Sequence, residues 1–126
     1  MGKTQQTAVF LCACLLVAAR TLDGGEPLRM QVSPAVARAP ALLTVRVSIE
    51  ASADNRLLLI VAESADFYSS SEIQIDGTNS APLNVFEFRN LPTGLYQVTG
   101  ILVGIHGPRA TAMRLARVEP SVGSAR

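Results

Sequence analysis

The chain has 126 residues, of which 48% are hydrophobic, 17% charged and 5% aromatic, with no tryptophan. This length fits one domain, and the apolar content is enough for a packed core, which argues against a disordered chain. Ten arginines and the single Lys3 face ten acidic residues, giving a formal net charge of +1. Because no basic stripe is present to neutralise phosphates, we expect no nucleic-acid partner.

The first 19 residues have the organisation of an export signal. A polar start that carries Lys3 is followed by an uninterrupted apolar run from Thr7 to Ala19. The run is shorter than the ~20 residues of a membrane-spanning helix, but it suits the core of a signal peptide. The small residues Val17-Ala18-Ala19 predict cleavage after Ala19, which would remove residues 1–19 and leave no stable transmembrane span.

Two alternatives stay open for this segment. Leu11-Cys12-Ala13-Cys14 resembles a lipoprotein box with Cys14 as the lipidated residue, although the apolar run continues where a lipoprotein normally turns polar. An uncleaved anchor is the second alternative, and the short run disfavours it. Both cysteines of the chain lie here. Cleavage after Ala19 therefore predicts a secreted or periplasmic domain that holds together through its core, without disulfides.

Residues 20–27 predict a polar, glycine-rich linker, and residues 28–118 predict a domain of seven short strands. Leu28–Val36 alternates but contains Pro34, which cannot donate to a ladder, so it predicts a kinked strand at a sheet edge. Leu43–Glu50 alternates aliphatic and polar residues with a period of two. This pattern predicts a strand with one buried and one wet face.

Arg56–Glu63 is apolar on both faces, which predicts a central strand. We place Leu57, Leu59 and Val61 on its inner face. The next segment, Ser64–Ser71, predicts a polar loop.

Short strands follow at Glu72–Asp76 and Leu83–Arg89, separated by a turn in which Gly77 can take a positive φ. The last two strands are expected at Leu95–Gly104 and Thr111–Val118, joined by a tight hairpin. Residues 119–126 predict a flexible tail. The expected core residues of the last three strands are Phe86, Phe88, Tyr96, Val98, Leu102, Met113 and Leu115. Gly100 is expected on the same inner face of its strand, where it would leave room for a bulky neighbour or mark a bulge.

The stretch Leu91-Pro92-Thr93-Gly94-Leu95-Tyr96 predicts a structural corner at the entry to the sixth strand. We expect Leu91, Gly94 and Tyr96 to form it, with the ring of Tyr96 on the core and its hydroxyl bonded to nearby backbone.

Seven strands separated by turns resemble the immunoglobulin and fibronectin type III-like superfold, particularly its bacterial extracytoplasmic versions. The resemblance rests on the interrupted first strand, the alternating Leu43–Glu50 strand and the pattern Leu91-x-x-Gly94-x-Tyr96-x-Val98. The chain departs from antibody domains, since it lacks the cysteine pair and has Leu59 in place of a core tryptophan. The resemblance implies an all-β antiparallel sandwich of the fibronectin-like kind, and such a fold does not by itself define a function.

Reactive side chains are few. His106 is the only histidine, and its Gly-Pro turn predicts a solvated residue without His or Cys partners for a metal. Ser69–Ser71 lack a Gly-x-Ser-x-Gly elbow and are interpreted as loop serines. Asp66, Asp76 and Asn79 are better explained as turn residues than as calcium ligands, which need six to eight oxygens. We therefore assign no catalytic, cofactor-binding or metal-binding residue and expect no enzyme and no cofactor.

Phe67 and Tyr68 are the candidates for contact with a partner, because an aromatic pair in a serine-rich loop can present a rigid surface. The other interpretation, which we favour, is that Phe67 covers the open end of the sandwich. The expected function is an exported, non-enzymatic module for binding an unidentified protein or glycan, or for structural support. The alternative is a pilin-like or chaperone-like assembly subunit that adds a strand at its proline-marked first edge.

Overall fold

A computed structural model describes residues 26–121 as an all-β fold in which two sheets pack around one core. One sheet has three strands in the order β1-β3-β6, and the other has five in the order β2-β8-β7-β4-β5. Neighbouring strands are antiparallel, except that β2 runs parallel to β8. The strands are β1 (Leu28–Ser33), β2 (Val36–Arg38), β3 (Ala41–Ile49), β4 (Asn55–Glu63), β5 (Tyr68–Gln74), β6 (Leu83–Leu91), β7 (Gly94–Gly104) and β8 (Gly107–Glu119).

The expected all-β sandwich is confirmed, with eight strands instead of seven. The first predicted strand is divided at Pro34, so that β1 pairs with β3 in one sheet and β2 pairs with β8 in the other. The Ser33–Pro34 and Ala39–Pro40 peptide bonds that flank β2 are cis. The predicted signal peptide and cleavage site lie outside the described residues, as do residues 122–126 of the predicted tail.

The tail begins later than expected. Glu119 belongs to β8, and its carbonyl accepts a hydrogen bond from the Ala39 amide at 2.8 Å.

The inner faces of the two sheets supply the core. The alternation of β3 is borne out, because Leu43, Val45 and Val47 are fully buried while Arg46 and Ser48 face solvent. In β6, Phe86 and Phe88 share the buried face, as the sequence predicts. The fully buried residues of β7 are Tyr96, Val98 and Leu102.

The predicted facing of β4 is wrong. Leu58, Ile60 and Ala62 are fully buried, whereas Leu57, Leu59 and Val61 lie on the outer face and are half-buried. Both sets are aliphatic, so hydrophobicity alone could not decide between two registers that differ by one residue.

Met113 and Leu115 are also not core residues, since 48% and 58% of their surfaces are exposed. The inner face of β8 carries Ala116 and Val118, which are buried, and Ala110 and Ala112, which are partly buried and pack against the core. Small alanines at the inward positions give a weak hydrophobic signal, so the larger outward residues were mistaken for the core.

The segment predicted as a loop from Ser64 to Ser71 is mostly strand. β5 begins at Tyr68, and Ser69, Ser70 and Ser71 pair with Ala62, Val61 and Ile60 of β4. The turn that remains is closed by a 2.8 Å hydrogen bond from the Ser64 amide to the Phe67 carbonyl. Serine is neither strongly favoured nor forbidden in a strand, so pairing with the aliphatic β4 decides the structure here.

Gly100 lies on the inner face of β7 and makes room for Met30. A Cβ atom at residue 100 would lie 3.0 Å from the Met30 sulfur and 3.3 Å from Ile60 Cδ1. Met30 is buried, so the glycine lets a long side chain of the three-stranded sheet reach across the core to the five-stranded sheet.

We expect Gly100→Val to destabilise the fold by about 1–3 kcal/mol, because the added methyl groups would overlap Met30 and Ile60. Denaturant unfolding measures the change. In a Met30→Ala background the same substitution should cost less, because the obstructing side chain is gone. An equal cost in both backgrounds would contradict this account of Gly100.

Candidate functional site

The corner between β6 and β7 has the expected geometry. The Tyr96 side chain is fully buried, and its hydroxyl donates to the Pro92 carbonyl at 2.7 Å. A Cβ atom at Gly94 would lie 3.2 Å from Ser64 Cβ, so the glycine permits close packing of the corner on the β4–β5 turn. Asn90 has φ of 59°, a left-handed conformation that asparagine tolerates better than most residues. Leu91 is fully buried.

Phe67, in the β4–β5 turn, packs on the core side of the five-stranded sheet, whereas Tyr68, the first residue of β5, lies on its outer side. The Phe67 ring packs edge-on against Tyr96 with centroids 6.1 Å apart, which is the covering position that we favoured. Tyr68 pairs with Glu63, an outward residue of β4, and is 64% exposed. Of the two aromatic residues, Tyr68 is therefore the one whose side chain is exposed to solvent.

The environment of Tyr96 also affects its ionisation. Burial raises the pKa of the Tyr96 phenol above its usual value, and a hydrogen bond with the Ser64 side chain partly offsets the rise. The unfolded chain then loses this proton at a lower pH than the folded chain does. The resulting contribution to stability is fully present below about pH 10 and is lost as pH rises through the folded-state pKa.

We expect Tyr96→Phe to lower the free energy of unfolding at neutral pH by about 1 kcal/mol, because it removes the hydrogen bond to Pro92. The variant should also lose less stability than the parent between pH 9 and 11. Denaturant titrations at several pH values measure both effects. Tyr68→Phe is the matched control, since its hydroxyl is exposed, and it should change stability by no more than about 0.5 kcal/mol. A parent whose stability does not fall above pH 10 would contradict the assignment.

A polar cluster at the opposite end of the sandwich is structural. Asn55 is fully buried, donates from Nδ2 to the Glu50 carbonyl at 2.9 Å, and accepts a hydrogen bond from the Arg109 guanidinium. A Cβ atom at Gly104 would lie 2.6 Å from Arg109 Cδ, so the glycine allows the arginine to lie against the strand. The buried amide thus has partners on both of its polar atoms, and the cluster ties β4 to β8.

The remaining polar candidates do not converge on one point. Asp66 precedes β5 and Asp76 follows it, so the strand separates them, and Asn79 donates its amide to the Asp76 carbonyl at 2.9 Å in a short turn. His106 is exposed in the hairpin between β7 and β8. Within residues 26–121, no three His, Cys, Asp or Glu side chains are grouped so that they could hold a metal ion.

The main feature that sequence reasoning missed is an apolar surface on the outer side of the five-stranded sheet. Its side chains belong to the central strands β4 and β7 and to β8. The surface, called here the apolar face, consists of Leu57, Leu59, Val61, Ile101, Val103, Met113 and Leu115.

Strand register places these side chains in contiguous rows. Leu57 pairs with Val103, and Leu59 pairs with Ile101. Thr99 lies between Val61 on β4 and Met113 on β8, so the row remains largely apolar across three strands. Met113 and Leu115 are about half exposed and the other five residues of the face are partly buried. A large contiguous apolar surface that reaches solvent can mark an interaction site.

Polar residues border the apolar face. In the row that begins at Leu115 on β8, the polar residues Gln97, Glu63 and Tyr68 follow in that order on β7, β4 and β5. Along β5, Ser70, Glu72 and Gln74 complete the rim. An apolar centre within a polar rim is the usual arrangement of a protein-binding surface.

The outer side of the three-stranded sheet has a different character. A shallow cleft of about 300 Å³ is lined there by Arg29, Gln31, Arg46, Ser48 and Leu83. Glu87 and Arg89 of the same side form an exposed ion pair at 2.6 Å. This side is polar and cationic, and its sheet also carries the exposed apolar residues Leu42, Leu83 and Val85.

Comparisons with known proteins support the fold. Neither a protein-family model nor a curated protein matches this chain. Superoxide reductase (neelaredoxin) from Ignicoccus hospitalis aligns with a TM-score of 0.56 and 14% identity over 75% of this chain and 81% of that chain. A variant of the same protein aligns with a TM-score of 0.58 and 14% identity over 79% of this chain and 85% of that chain.

A part of a family 76 glycoside hydrolase from a bovine Bacteroides thetaiotaomicron strain also aligns. Its TM-score is 0.53 at 15% identity, over 75% of this chain and 21% of that chain. Identities this low show a common all-β fold, and the activities of those proteins are not inferred for this chain. Separately, none of the elements within residues 26–121 is a helix with the length and hydrophobicity to cross a bilayer.

Proposed function

We propose that this chain is an exported, non-enzymatic binding module whose contact surface for a protein partner is the apolar face. The observation that carries the proposal is the position of Met113 and Leu115, which are large, apolar and about half exposed on β8, next to the outward aliphatic residues of β7 and β4. Leaving such side chains in water gains nothing for the monomer, whereas covering them on binding is favourable.

The composition of the face favours a protein over a glycan. Sugar rings are usually held by the flat faces of aromatic side chains, and the apolar face is built from Leu, Ile, Val and Met. Tyr68 is the one aromatic residue at its rim among the described residues. Aliphatic side chains and methionine suit the complementary apolar surface of a protein.

We also propose that the sandwich belongs to the immunoglobulin and fibronectin type III-like class. Its support is the separation of β1, β3 and β6 from β8, β7 and β4, an order that such sandwiches share. The tyrosine corner at Tyr96, with its hydroxyl on a carbonyl four residues upstream, is a second shared feature. Export to the periplasm or the cell exterior rests on the apolar segment Thr7–Ala19.

A second candidate function is strand addition, and it is favoured by a specific edge. The Arg117 amide donates to Ala35, on the side of β8 that faces β2. Because backbone groups two residues apart point the same way, the amides of Leu115, Met113 and Thr111 face that side too, beyond the end of β2. This part of β8 is therefore a sheet edge that β2 does not cover, and β1, the predicted first edge, is an edge strand of the three-stranded sheet.

Proline substitutions on β8 test strand addition. Thr111→Pro removes an amide that points to the open edge, so it should leave the fold intact and block assembly with an added strand. Ala112→Pro is the matched control, because its amide points towards β7 and its loss should disrupt the sheet. If Thr111→Pro still assembles into oligomers as the parent does, strand addition at β8 is excluded.

Site-specific photocrosslinking in the producing cell tests the main proposal. A photoreactive phenylalanine at residue 115 should give a discrete protein adduct, and the same group at residue 85 should not. Val85 is the matched control for Leu115, since the two side chains are 51% and 58% exposed and lie on opposite sheets. Equal labelling at both positions, or an adduct at residue 85 alone, would overturn the proposed role of the apolar face.

A further inference from the structure

The apolar face has the shape and charge distribution to bind a copy of itself. We propose that the protein forms a face-to-face homodimer in which the apolar faces of two copies pack together about a two-fold axis parallel to the strands, between β4 and β7. The inference rests on the proposed function, because it names the partner of that same surface. A two-fold axis requires a patch complementary to its own rotated image, which strand register can test.

The proposed axis exchanges β4 with β7, and β5 with β8, while each side chain stays in its own row. Apolar residues of one copy then meet aliphatic, aromatic or small residues of the other. The facing pairs are Leu57 with Val103, Leu59 with Ile101, Val61 with Thr99, Ser70 with Met113, and Tyr68 with Leu115. The twist of each sheet adds a crossing angle of about 30°, which shifts the outer pairs but leaves the central ones close together.

The charged residues also find suitable partners in this arrangement. Glu63 of one copy faces the Gln97 amide of the other, and Glu72 faces the Thr111 hydroxyl. Both groups can donate hydrogen bonds to a carboxylate, so neither acid would be covered without a donor. Like charges do not oppose each other anywhere in these rows.

A two-fold axis across the strands is less favourable. Such an axis would stack each strand of one copy on the same strand of the other copy and would reverse the order of the rows. The Glu63 carboxylate would then lie over Leu57 of the second copy. A carboxylate covered by an aliphatic side chain loses water without gaining a partner, which is costly. The charges of this face therefore select the axis parallel to the strands.

The size of the face predicts a weak association. Four strands and four rows of side chains cover about 19 Å by 27 Å at standard sheet spacings, or about 500 Å² per copy. This area includes the polar rim and lies within the ~300–600 Å² of the largest patches on monomers, and it is smaller than the ~800 Å² per partner of a standard interface. We expect a reversible dimer with a dissociation constant in the micromolar range or weaker.

Sedimentation velocity over a concentration series tests the dimer. The exported protein, purified from cells, should shift from monomer to dimer between about 1 and 500 μM, a range that covers micromolar dissociation constants. Leu115→Glu should stay monomeric over this range, and Val85→Glu should dimerise as the parent does. Circular dichroism and thermal melting establish that both variants are folded. A parent that is monomeric at every concentration, or a Val85→Glu variant that loses the dimer equally, overturns the inference.

Cysteine cross-linking tests the axis. Within one copy, residues 115 and 68 lie three strand spacings apart, or about 14 Å, whereas across the proposed interface they face each other. Leu115→Cys/Tyr68→Cys should therefore give covalent dimers with a short bis-maleimide at about 100 μM protein, a concentration at which a micromolar dissociation constant gives substantial dimer. Either single variant, and the parent, should give only background. Dimers formed equally by Leu115→Cys alone would exclude this axis.

The outcomes also separate this inference from the proposed function. A photoadduct at residue 115 with the mass of two chains supports both the homodimer and the role of the apolar face in binding. An adduct with a different protein, from a chain that does not self-associate, overturns the homodimer and keeps the apolar face as a binding surface. A concentration-dependent dimer that survives Leu115→Glu shows that the copies associate elsewhere, and it overturns the inference.

Discussion

Tyr96 is the largest fully buried side chain of the described residues, and its contacts join three parts of the chain at one end of the sandwich. Its ring packs on Phe67 from the β4–β5 turn, and its hydroxyl holds the corner between β6 and β7 through Pro92. Because side chains alternate along a strand, fixing Tyr96 inward turns Leu95 and Gln97 outward. The same alternation turns Tyr68 outward once Phe67 is drawn onto Tyr96. The core contact therefore determines which side chains the outer surface presents.

The two sheets use their outer sides differently. The three-stranded sheet carries Arg29, Arg46 and other polar residues on its outer side, so it has one buried face and one solvent-exposed polar face. The five-stranded sheet is aliphatic on both faces at β4, where Leu58 and Ile60 point in and Leu57 and Leu59 point out. A central strand that is apolar on both sides normally has a second layer above it. Within residues 26–121 no second layer covers β4, which is the physical reason to assign the outer face to a partner.

Local patterns in the sequence were sufficient where one face of a strand is clearly polar. β3 and β6 were assigned to the correct faces because Arg46, Ser48 and Glu87 leave only one choice of register. The sequence was not sufficient for β4, where both registers are aliphatic, or for β8, where inward alanines give a weaker signal than outward Met113 and Leu115. The apolar face could not be predicted for the same reason. It depends on the register of three strands at once, although the two-sided hydrophobicity of Arg56–Glu63 was a signal for it.

The central claim is that the outward apolar residues of β8 serve binding and the inward ones serve folding. The most direct test compares the unfolding free energies of two variants in dilute monomeric solution. Met113→Thr/Leu115→Thr should lose about 1 kcal/mol or less, since both side chains are exposed. Val118→Thr, which buries a hydroxyl at a position only 1% exposed, should lose about 1–3 kcal/mol. A double variant that loses as much stability as Val118→Thr would show that Met113 and Leu115 hold the fold together, and it would contradict the claim.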